Sequence, residues 1–359
     1  MHFTYTEKLL SRALMAGAFP SAAAAAGNRN QVLFQSIKGD AAIWPVRRSS
    51  SADTLYDMAS LTKMMATTLV AMKFIGCGKL QLEGSISDYC DAPRDKAKIT
   101  IRDLLCHTGG FPAHFLLRDC QAPPEAAADL ILRRPLDCNP GTRVIYSCMG
   151  FILLGRILET ISGRPLDQLA RTMIFEPLNM LRTGYLTAEL PMQRPVSQLT
   201  AATEYDPVSQ QYLCGVVHDE NARFLRGVSG NAGVFAPLAD CIKLASCFLN
   251  QGRGLLNPEL FSMMTSNWTE GLNENRGLGV AVWKEGKSWS GGPALQEGSF
   301  GHTGFTGTSL YISPYHDLYF ILLTNRVHFG RALNIMPDYR TLFHQAVIDD
   351  WQREKPHQV

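Results

Sequence analysis

The chain has 359 residues, 46% hydrophobic and 18% charged, and 34 Lys and Arg against 32 Asp and Glu leave a formal net charge of +2. This balance excludes an intrinsically disordered chain, and it lacks the basic excess that is typical of nucleic-acid binding. None of the nine cysteines forms a C-x-x-C pair, so we expect reduced thiols and no metal or organic cofactor.

The start of the chain lacks the basic stretch and apolar run of a secretory signal peptide. Lys73 interrupts the most apolar candidate for a membrane span. We therefore expect a cytoplasmic protein that does not span a membrane. Its length predicts one composite globule or two domains, while its oligomeric state is not predicted.

The first half of the chain predicts strands followed by helices. A helix is expected over residues 5–16, and short strands are expected over 22–26, 31–37 and 41–45. Helical spacing then begins at Ser60 and stops at Gly76 and Gly78. A further helix is predicted over residues 149–161, with Gly163 placed to cap its end.

The second half returns to strands. Residues 181–275 predict loops apart from a helix over 239–249, and the last helix is expected over 336–351. Strand patterns between them occupy residues 278–283, 308–312 and 318–324. Because strands lie at both chain ends with helices between, we expect an α/β fold of the α+β type in which the two ends share one sheet. Residues 1–59 and 276–359 would then form a sheet domain, and residues 60–275 a helical inserted domain.

A serine and a lysine lie three residues apart at a predicted helix start, as Ser60-Leu61-Thr62-Lys63. Residues at i and i+3 share a helix face, so their side chains can meet. A serine hydroxyl needs a neighbouring base, and a lysine can serve when burial and nearby cations lower its pKa. Free N–H groups at the helix start would also favour negative charge beside Ser60. Taken alone, a serine and a lysine at this spacing also occur by chance, at the start of a helix whose lysine is exposed to solvent.

Two further segments suggest partners for this pair. Tyr146 is predicted on a loop at a helix entrance, where it could act as a base or proton relay or could be a buried tyrosine with one satisfied hydrogen bond. Residues 299–308 predict a glycine-rich edge strand along which a substrate can lie close to the backbone. A second His-Thr-Gly, at residues 107–109, follows a short predicted helix over 101–106 and is expected to be structural.

In this chain order, S-x-x-K at Ser60, Tyr146-x-Cys148 and His302-Thr303-Gly304 resemble the three motifs of the serine β-lactamase and penicillin-binding-protein superfamily. Residues 57–63, 104–112 and 146–155 also resemble family segments, and the resemblance covers roughly residues 15–350. The chain is most similar to class C β-lactamases and family VIII esterases. The resemblance implies an antiparallel sheet flanked by helices, with the active site in the cleft beside the inserted domain.

The resemblance also implies roles for the site residues. Ser60 would attack a carbonyl carbon, Lys63 and Tyr146 would move its proton, and water would release the acyl-enzyme. The backbone N–H groups of Ser60 and Phe305 would form the oxyanion hole. The substrate-binding and oxyanion set is expected to comprise His302, Thr303, Gly304, Phe305 and Cys148.

Two departures from the family pattern bear on the substrate. Cys148 stands where relatives place an asparagine that hydrogen-bonds a substrate amide, and a thiol is a poor donor and acceptor. His302 replaces a lysine that pairs with a substrate carboxylate, and a histidine is only partly charged near neutral pH. Both changes favour esters or unusual peptides over β-lactams as substrates. Residues 217–222 and 227–233 resemble a pocket-lining loop of a family subgroup. We expect no catalytic role for Glu220.

We expect a small-molecule substrate that is an ester, an amide or a lactam. Three hypotheses for the function of the protein follow. The first is a serine hydrolase that cleaves carboxylic esters. The second is a D-amino-acid peptidase of the D-Ala-D-Ala carboxypeptidase type, or a β-lactamase. The third, from another functional class, is a ligand-binding or sensor homologue that does not turn over. The sequence does not separate a hydrolase from an acyltransferase that passes the acyl group to an alcohol.

Overall fold

The computed structural model describes residues 2–187, 195–287, 289–332 and 334–354. The strands found among them are β1 (Ser21–Gly27), β2 (Val32–Ala42), β3 (Arg48–Ser49), β4 (Tyr56–Asp57), β5 (Gly184–Tyr185), β6 (Tyr205–Asp206), β7 (Gln211–Tyr212), β8 (Val234–Ala236), β9 (Ala281–Val282), β10 (Phe300–Thr303), β11 (Ser309–Ser313) and β12 (Leu318–Thr324).

The α-helices found there are α1 (Thr4–Met15), α2 (Thr68–Gly76), α3 (Ile101–Cys106), α4 (Ala127–Leu132), α5 (Cys148–Ser162), α6 (Leu166–Ala170), α7 (Val196–Leu199), α8 (Glu220–Phe224), α9 (Leu238–Leu249), α10 (Pro258–Thr265) and α11 (Met336–Glu354). Two π-helical segments, Lys63–Thr67 and Arg171–Phe175, lead into or out of neighbouring helical turns.

Both ends of the chain contribute to one antiparallel sheet, as predicted. Its seven strands lie in the order β3-β2-β1-β12-β11-β10-β9. Strand β1 joins the two chain ends, because Ala24 lies opposite Ser36 of β2 on one side and Leu322 of β12 on the other. The fold is therefore the predicted α/β arrangement with helices flanking a shared sheet.

The alanine run of β1 explains how this sheet is covered on both faces. Alanine is uncommon in strands, but residues 22–26 are each at most 1% exposed. Alternate alanines face two different cores, one shared with α1 and α11 and one shared with α9 and the helical region. Small side chains at these positions let helices approach the sheet closely. Asp350 of α11 accepts hydrogen bonds from the backbone and hydroxyl of Thr6, both at 2.9 Å, and so ties the terminal helices together.

Several predicted boundaries need correction. The third short strand predicted over 41–45 is wrong, because Ala41 and Ala42 end β2 and the next strand begins at Arg48. Only Ala281 and Val282 of the strand predicted over 278–283 pair with a neighbour. Helix α10 lies in the region predicted as loops. Two local signals in the sequence indicate α10. A proline lies in its first turn, and the side chain of Asn257 caps it by accepting a hydrogen bond from Leu260 N–H.

The predicted division into a sheet domain and an inserted domain stays a prediction. Helix α9 lies within the segment assigned to the inserted domain, yet it packs against β1, β11 and β12 of the sheet. Strand β4, which precedes Ser60, pairs with β8 and so joins the two assigned segments. In the described part of the chain, every helix is too short or too polar to cross a bilayer.

Candidate active site

A cavity of about 560 Å³ opens where the end of β10 meets the start of the helical region. The predicted site residues that line it are Ser60, Tyr146, Cys148, Thr303, Gly304 and Phe305. Lys63 and His302 lie behind this lining, with 0% and 4% exposure. The structure therefore brings all eight predicted residues to one place. A more open surface groove near Trp44 and Tyr212 contains none of them.

The nucleophile lies on a tightly held turn between β4 and the first helix. Ala59 adopts a left-handed backbone conformation with φ of 45°, which is unusual for a residue other than glycine. The carboxylate of Asp57 holds it by accepting a hydrogen bond from Ala59 N–H at 2.8 Å. The hydroxyls of Thr306 and Thr308 donate to the carbonyls of Asp57 and Met58. The turn that presents Ser60 is thus attached directly to the segment after β10.

The helix start offers fewer free donors than we predicted. The N–H groups of Leu61, Thr62 and Lys63 already donate to the carbonyls of residues 58, 59 and 60. The prediction of several free helix N–H groups beside Ser60 is therefore wrong, since tight i to i+3 bonds satisfy them. Among the described residues, no hydrogen-bond acceptor is found for the backbone N–H of Ser60 itself or for that of Phe305.

Lys63 is completely buried among polar groups. Its Nζ donates to Ser60 Oγ at 2.9 Å, to the carbonyl of Asn231 at 3.1 Å and to Cys148 Sγ at 3.6 Å. The Tyr146 ring centre lies 5.0 Å from the same nitrogen, and Tyr146 is a further hydrogen-bond partner. The three protons of the ammonium group are therefore shared among four acceptors.

The pKa of Lys63 is raised, which corrects our expectation of a lowered one. Burial disfavours the charged form, but attraction to Cys148 and Tyr146 and a hydrogen bond to Tyr146 favour it by more. The surroundings of Lys63 thus contain anionic or hydrogen-bonding partners instead of the additional cations that we predicted. Lys63 is accordingly an ammonium in the free protein.

Tyr146 lies on the loop before α5, as predicted, and a histidine supports it from behind. His107 ends α3 in a left-handed conformation, and its ring centre lies 4.6 Å from that of Tyr146. The Nδ1 atom of His107 accepts a hydrogen bond from Ser147 N–H at 3.1 Å. Burial lowers the pKa of His107 well below its ordinary value, so the ring is neutral. His107 of the His-Thr-Gly at residues 107–109 thus has a structural role, because it holds the loop that carries Tyr146.

His302 is neutral and lies behind Tyr146. Its Nδ1 donates to the carbonyl of Thr303 at 2.7 Å, and its ring centre is 5.8 Å from that of Tyr146. Burial, followed by the charges of Lys63 and Arg276, lowers the pKa of His302 to about 3. The expectation of a partly charged His302 at neutral pH is therefore wrong, because the side chain is almost fully desolvated.

Strand β10 ends at the cavity, and only its second half is an edge strand. The two residues of β9 cover Phe300 and Gly301, while His302 and Thr303 have a neighbouring strand on the β11 side only. Phe305 lies in the turn after the strand, not on it. A Cβ atom at Gly304 would meet Met58 carbonyl oxygen at 2.5 Å, so glycine is required where this strand approaches the nucleophile turn.

Cys148 occupies the first turn of α5 and faces both the cavity and Lys63. It also forms a hydrogen bond with His114, another cavity residue, and this bond raises the pKa of His114. Among the described residues, all nine cysteines are free thiols. The thiol therefore lies at the cavity wall, in contact with both Lys63 and His114.

The loop at residues 217–233 lines the cavity, as the resemblance implies. The Nε2–H group of His218 donates to Glu204 Oε2 at 3.0 Å, and the ring of His218 stacks on that of Phe305 with 5.6 Å between their centres. Arg331 pairs with Glu204 at 2.9 Å and with Glu220 at 3.0 Å. Glu220 is thus held in an ion pair, which agrees with its having no predicted catalytic role.

Sequence reasoning missed two groups of residues around the cavity. Asp57, Asn231 and His114 lie near the motifs in space, but their contacts are made by backbone atoms or by a thiol. The arginines Arg326, Arg331 and Arg340 also line the cavity. They follow the third motif, which ends at Gly304, by 22 residues or more, and no local spacing connects them to Ser60. Among the described residues, no cluster of three His, Cys, Asp or Glu side chains could hold a metal ion.

Comparisons with known proteins agree with this geometry. The sequence model of a family described as Beta-lactamase matches residues 8–345. A "Putative D-alanyl-D-alanine carboxypeptidase" of Escherichia coli (strain K12) is 34% identical over 317 residues, covering 79% of this chain and 71% of that protein. An N-acetylmuramyl-L-alanine amidase of Bacillus subtilis (strain 168) is 32% identical over 307 residues, covering 77% of this chain and 68% of that protein. Among solved structures, "EstCE1, a hydrolase with promiscuous acyltransferase activity" superposes with a TM-score of 0.75 at 22% identity, covering 96% of this chain and 97% of that one.

Proposed function

This chain belongs to the beta-lactamase family of serine hydrolases, and from that premise we propose that it cleaves carboxylic esters through an acyl-enzyme on Ser60. The observation that carries the proposal is the contact of 2.9 Å between Lys63 Nζ and Ser60 Oγ at the wall of a substrate-sized cavity. A nucleophile needs this kind of directed partner to react at neutral pH.

The proposed reaction begins with attack of Ser60 Oγ on the ester carbonyl carbon. Because Lys63 is an ammonium, Tyr146 is the candidate proton relay: its oxygen takes the Ser60 proton while its own hydroxyl proton passes to the oxygen of the leaving alcohol. Lys63 supplies a fixed positive charge beside Ser60 and Tyr146. The carbonyl oxygen becomes an oxyanion held by the N–H groups of Ser60 and Phe305, which have no other acceptor among the described residues. The C–O bond then breaks, the alcohol leaves with the proton, and Ser60 keeps the acyl group.

Release of the acyl group completes the cycle. Water attacks the acyl carbon and its proton passes through the Tyr146 hydroxyl to Ser60 Oγ. The bond between Oγ and the acyl carbon then breaks, which restores the Ser60 hydroxyl and releases a carboxylic acid. An alcohol in place of water would give a new ester, which is the acyltransferase variant. No step in this scheme requires a metal or an organic cofactor.

Esters are the proposed substrates because amide recognition is weak at this site. Cys148 faces the cavity where an amide side chain would hydrogen-bond a substrate N–H and carbonyl. His302 is neutral and buried, so it supplies no positive charge to a substrate. We propose orienting roles for Thr303 and Gly304 through their backbone, and a positioning role for His302 beside Tyr146.

The alternative with specific support is a D-amino-acid peptidase. The Escherichia coli relative carries that description, and its identity of 34% exceeds that of the hydrolase of known structure. A β-lactamase or a slowly acylated sensor would use the same Ser60. A cytoplasmic location also remains part of the proposal, supported by nine free cysteines in the described chain.

The deciding experiment compares wild type with Ser60→Ala on 4-nitrophenyl butyrate, nitrocefin and an acetylated D-Ala-D-Ala dipeptide. We expect ester turnover that Ser60→Ala abolishes, with slower or no turnover of the other two. Faster cleavage of the dipeptide or of nitrocefin would replace the esterase by the corresponding alternative. Intact-mass spectrometry of the same mixtures distinguishes a sensor from a hydrolase, because a sensor would keep a stable acyl adduct on Ser60 without turnover.

A further inference from the structure

Two nucleophilic side chains share one ammonium group at the cavity. Lys63 Nζ donates to Ser60 Oγ at 2.9 Å and to Cys148 Sγ at 3.6 Å. The sulfur therefore lies no farther from the Ser60 oxygen than the sum of these two distances. Both residues line the cavity, so a small reagent that reaches Ser60 also reaches Cys148. The proposed hydrolysis uses the serine and gives the thiol no chemical step.

A second basic side chain contacts the Cys148 sulfur. His114 also lines the cavity, and its hydrogen bond with Cys148 raises the pKa of His114 above its ordinary value. Burial lowers the pKa of Lys63, and attraction to Cys148 is the largest of the effects that raise it. The same attraction acts on the sulfur, where both cations favour the thiolate over the thiol. The thiolate is the form of cysteine that attacks electrophiles.

The acidic groups of the cavity support this cluster from outside. Glu220 pairs with Arg331 at 3.0 Å, and Asp219 accepts a hydrogen bond from Ala222 N–H at 2.8 Å. After the bond to Cys148, attraction to these two carboxylates raises the pKa of His114 further. The acids therefore help to keep His114 charged beside the sulfur.

The other thiols have different surroundings. Burial raises the pKa of four of them, which are Cys90, Cys106, Cys241 and Cys247. Cys120 and Cys214 each lie near a single arginine, at 3.5 and 3.7 Å, and both lie outside the cavity lining. Among the described residues, Cys148 is the thiol that combines contacts to two basic side chains with a place at the cavity.

We propose that Cys148 is a redox-sensitive modification site, at which a small hydroperoxide oxidises the thiolate to a sulfenic acid and so prevents acylation of Ser60. The sulfur attacks one peroxide oxygen, an S–O bond forms and the O–O bond breaks. Sulfur loses two electrons to the peroxide, and the leaving hydroxide takes the proton of His114 to become water. The effect on acylation rests on the proposed hydrolase function, whereas the oxidation itself does not.

Oxidation at this position should stop catalysis because Lys63 is shared. The added oxygen lies beside the ammonium and is a stronger acceptor than sulfur, so it competes with Ser60 Oγ for the same protons. It also fills part of the cavity next to the nucleophile. Small thiols reduce a sulfenic acid through a disulfide, so the block is reversible.

Alkylation measures the reactivity of this thiol without reference to hydrolysis. Wild type is treated with limiting iodoacetamide at pH 7, and peptide mass spectrometry follows Cys148 and the exposed Cys77 in the same sample. We expect Cys148 to react at least about tenfold faster than Cys77. Lys63→Met and His114→Gln should each slow Cys148 by about threefold or more and leave Cys77 unchanged. Equal rates for the two cysteines, or an unchanged Cys148 rate in both variants, overturn the proposal.

Hydrogen peroxide then tests the oxidation. At concentrations that give a dimedone adduct on Cys148, ester hydrolysis by wild type should fall by at least about tenfold, and dithiothreitol should restore it. Cys148→Ala should keep its own untreated rate, whatever that rate is, and Cys77→Ser should be inhibited like wild type. Equal inhibition of Cys148→Ala, or a loss that dithiothreitol does not reverse, overturns the proposal. The second result would point to oxidation of Met336, which also lines the cavity.

Labelling and turnover separate this proposal from the proposed function. Fast alkylation and dimedone labelling of Cys148 in a protein without ester turnover would refute the hydrolase and support the modification site. A fluorophosphonate that labels Ser60 would then report the same loss on oxidation and the same recovery. Ester turnover by a protein whose Cys148 reacts no faster than Cys77 would refute the modification site alone.

Discussion

The ammonium of Lys63 lies 2.9 Å from Ser60 Oγ and at the same time donates to the carbonyl of Asn231 at 3.1 Å. The nucleophile's partner is thus anchored to a loop far along the chain as well as to its own helix. Since the raised pKa of Lys63 keeps it charged, its position and its charge are both available before the substrate arrives.

Replacing this lysine should remove catalysis without preventing substrate binding. Lys63→Met keeps an unbranched side chain but removes the charge beside Ser60 and Tyr146. We expect kcat for ester hydrolysis to fall by about 10²- to 10⁴-fold with a smaller change in KM. Lys73→Met, on α2 and outside the cavity, is the control. Wild-type kcat in Lys63→Met would contradict the proposed site.

The thiol at position 148 should control the choice between esters and amides. Cys148→Asn introduces one donor group and one acceptor where a substrate amide would lie. We expect the ratio of nitrocefin to ester turnover to rise by about tenfold or more, the effect of one added hydrogen bond in a desolvated site. Cys148→Ser is the comparison of similar size without the amide. Equal ratios in all three proteins would show that position 148 does not select the substrate.

The carboxylate of Asp57 should be needed for both stability and rate. It accepts hydrogen bonds from Ala59 N–H at 2.8 Å and from His218 N–H at 2.7 Å, so it joins the nucleophile turn to the cavity loop. Asp57→Ala leaves two buried donors unsatisfied, and we expect the free energy of unfolding to fall by about 2–5 kcal/mol. Asp57→Asn retains one acceptor oxygen and should lose roughly half as much. Urea unfolding measures both values, and wild-type stability in Asp57→Ala would refute this role.

Acid should destabilise the fold through its buried neutral histidines. Burial lowers the pKa of His344 to about 3, and its Nδ1 donates to the carbonyl of Gly291 at 2.8 Å. In the unfolded chain His344 becomes protonated below about pH 6.5, whereas in the native protein it becomes protonated only near pH 3. Stability is therefore complete above pH 6.5 and falls between these limits.

The same reasoning gives a measurable slope. Each such histidine should lower the free energy of unfolding by about 1.4 kcal/mol per pH unit within that window. His344→Asn retains a donor for Gly291 but removes the titration, so its stability should fall less steeply from pH 6 to pH 4. Urea unfolding at several pH values measures both slopes. Parallel curves for the two proteins would show that His344 does not carry this dependence.

Local patterns predicted much of the fold. The bounds of α3 were predicted to the residue, and α5 ends at Gly163 in the left-handed conformation that its cap requires. Hydrophobic strands at both chain ends were enough to predict a shared sheet, because such segments can satisfy their backbone only by pairing with each other. The three motifs also meet at one cavity, which follows from their order in a known fold.

The features that the sequence could not predict depend on packing between residues that lie far apart in the chain. The pKa of Lys63 depends on how closely Cys148 and Tyr146 pack against it, and no spacing within residues 60–63 contains that information. His302 is neutral for a similar reason, since its burial comes from neighbours on other elements. Arg340 resembles any helical arginine in the sequence, and only the described cavity distinguishes it.

Strand β1 has a consequence for how this protein is made. Ala22 pairs with Thr324, so β1, an interior strand of the sheet, gains its second neighbour only after residue 324 has left the ribosome. Contacts between such distant residues form slowly, because a long loop must close first. The segment after β10 that braces the Ser60 turn is also synthesised late. A nascent chain should therefore carry Ser60 without hydrolytic activity, and truncations that remove β12 should leave the N-terminal strands open to chaperones or aggregation.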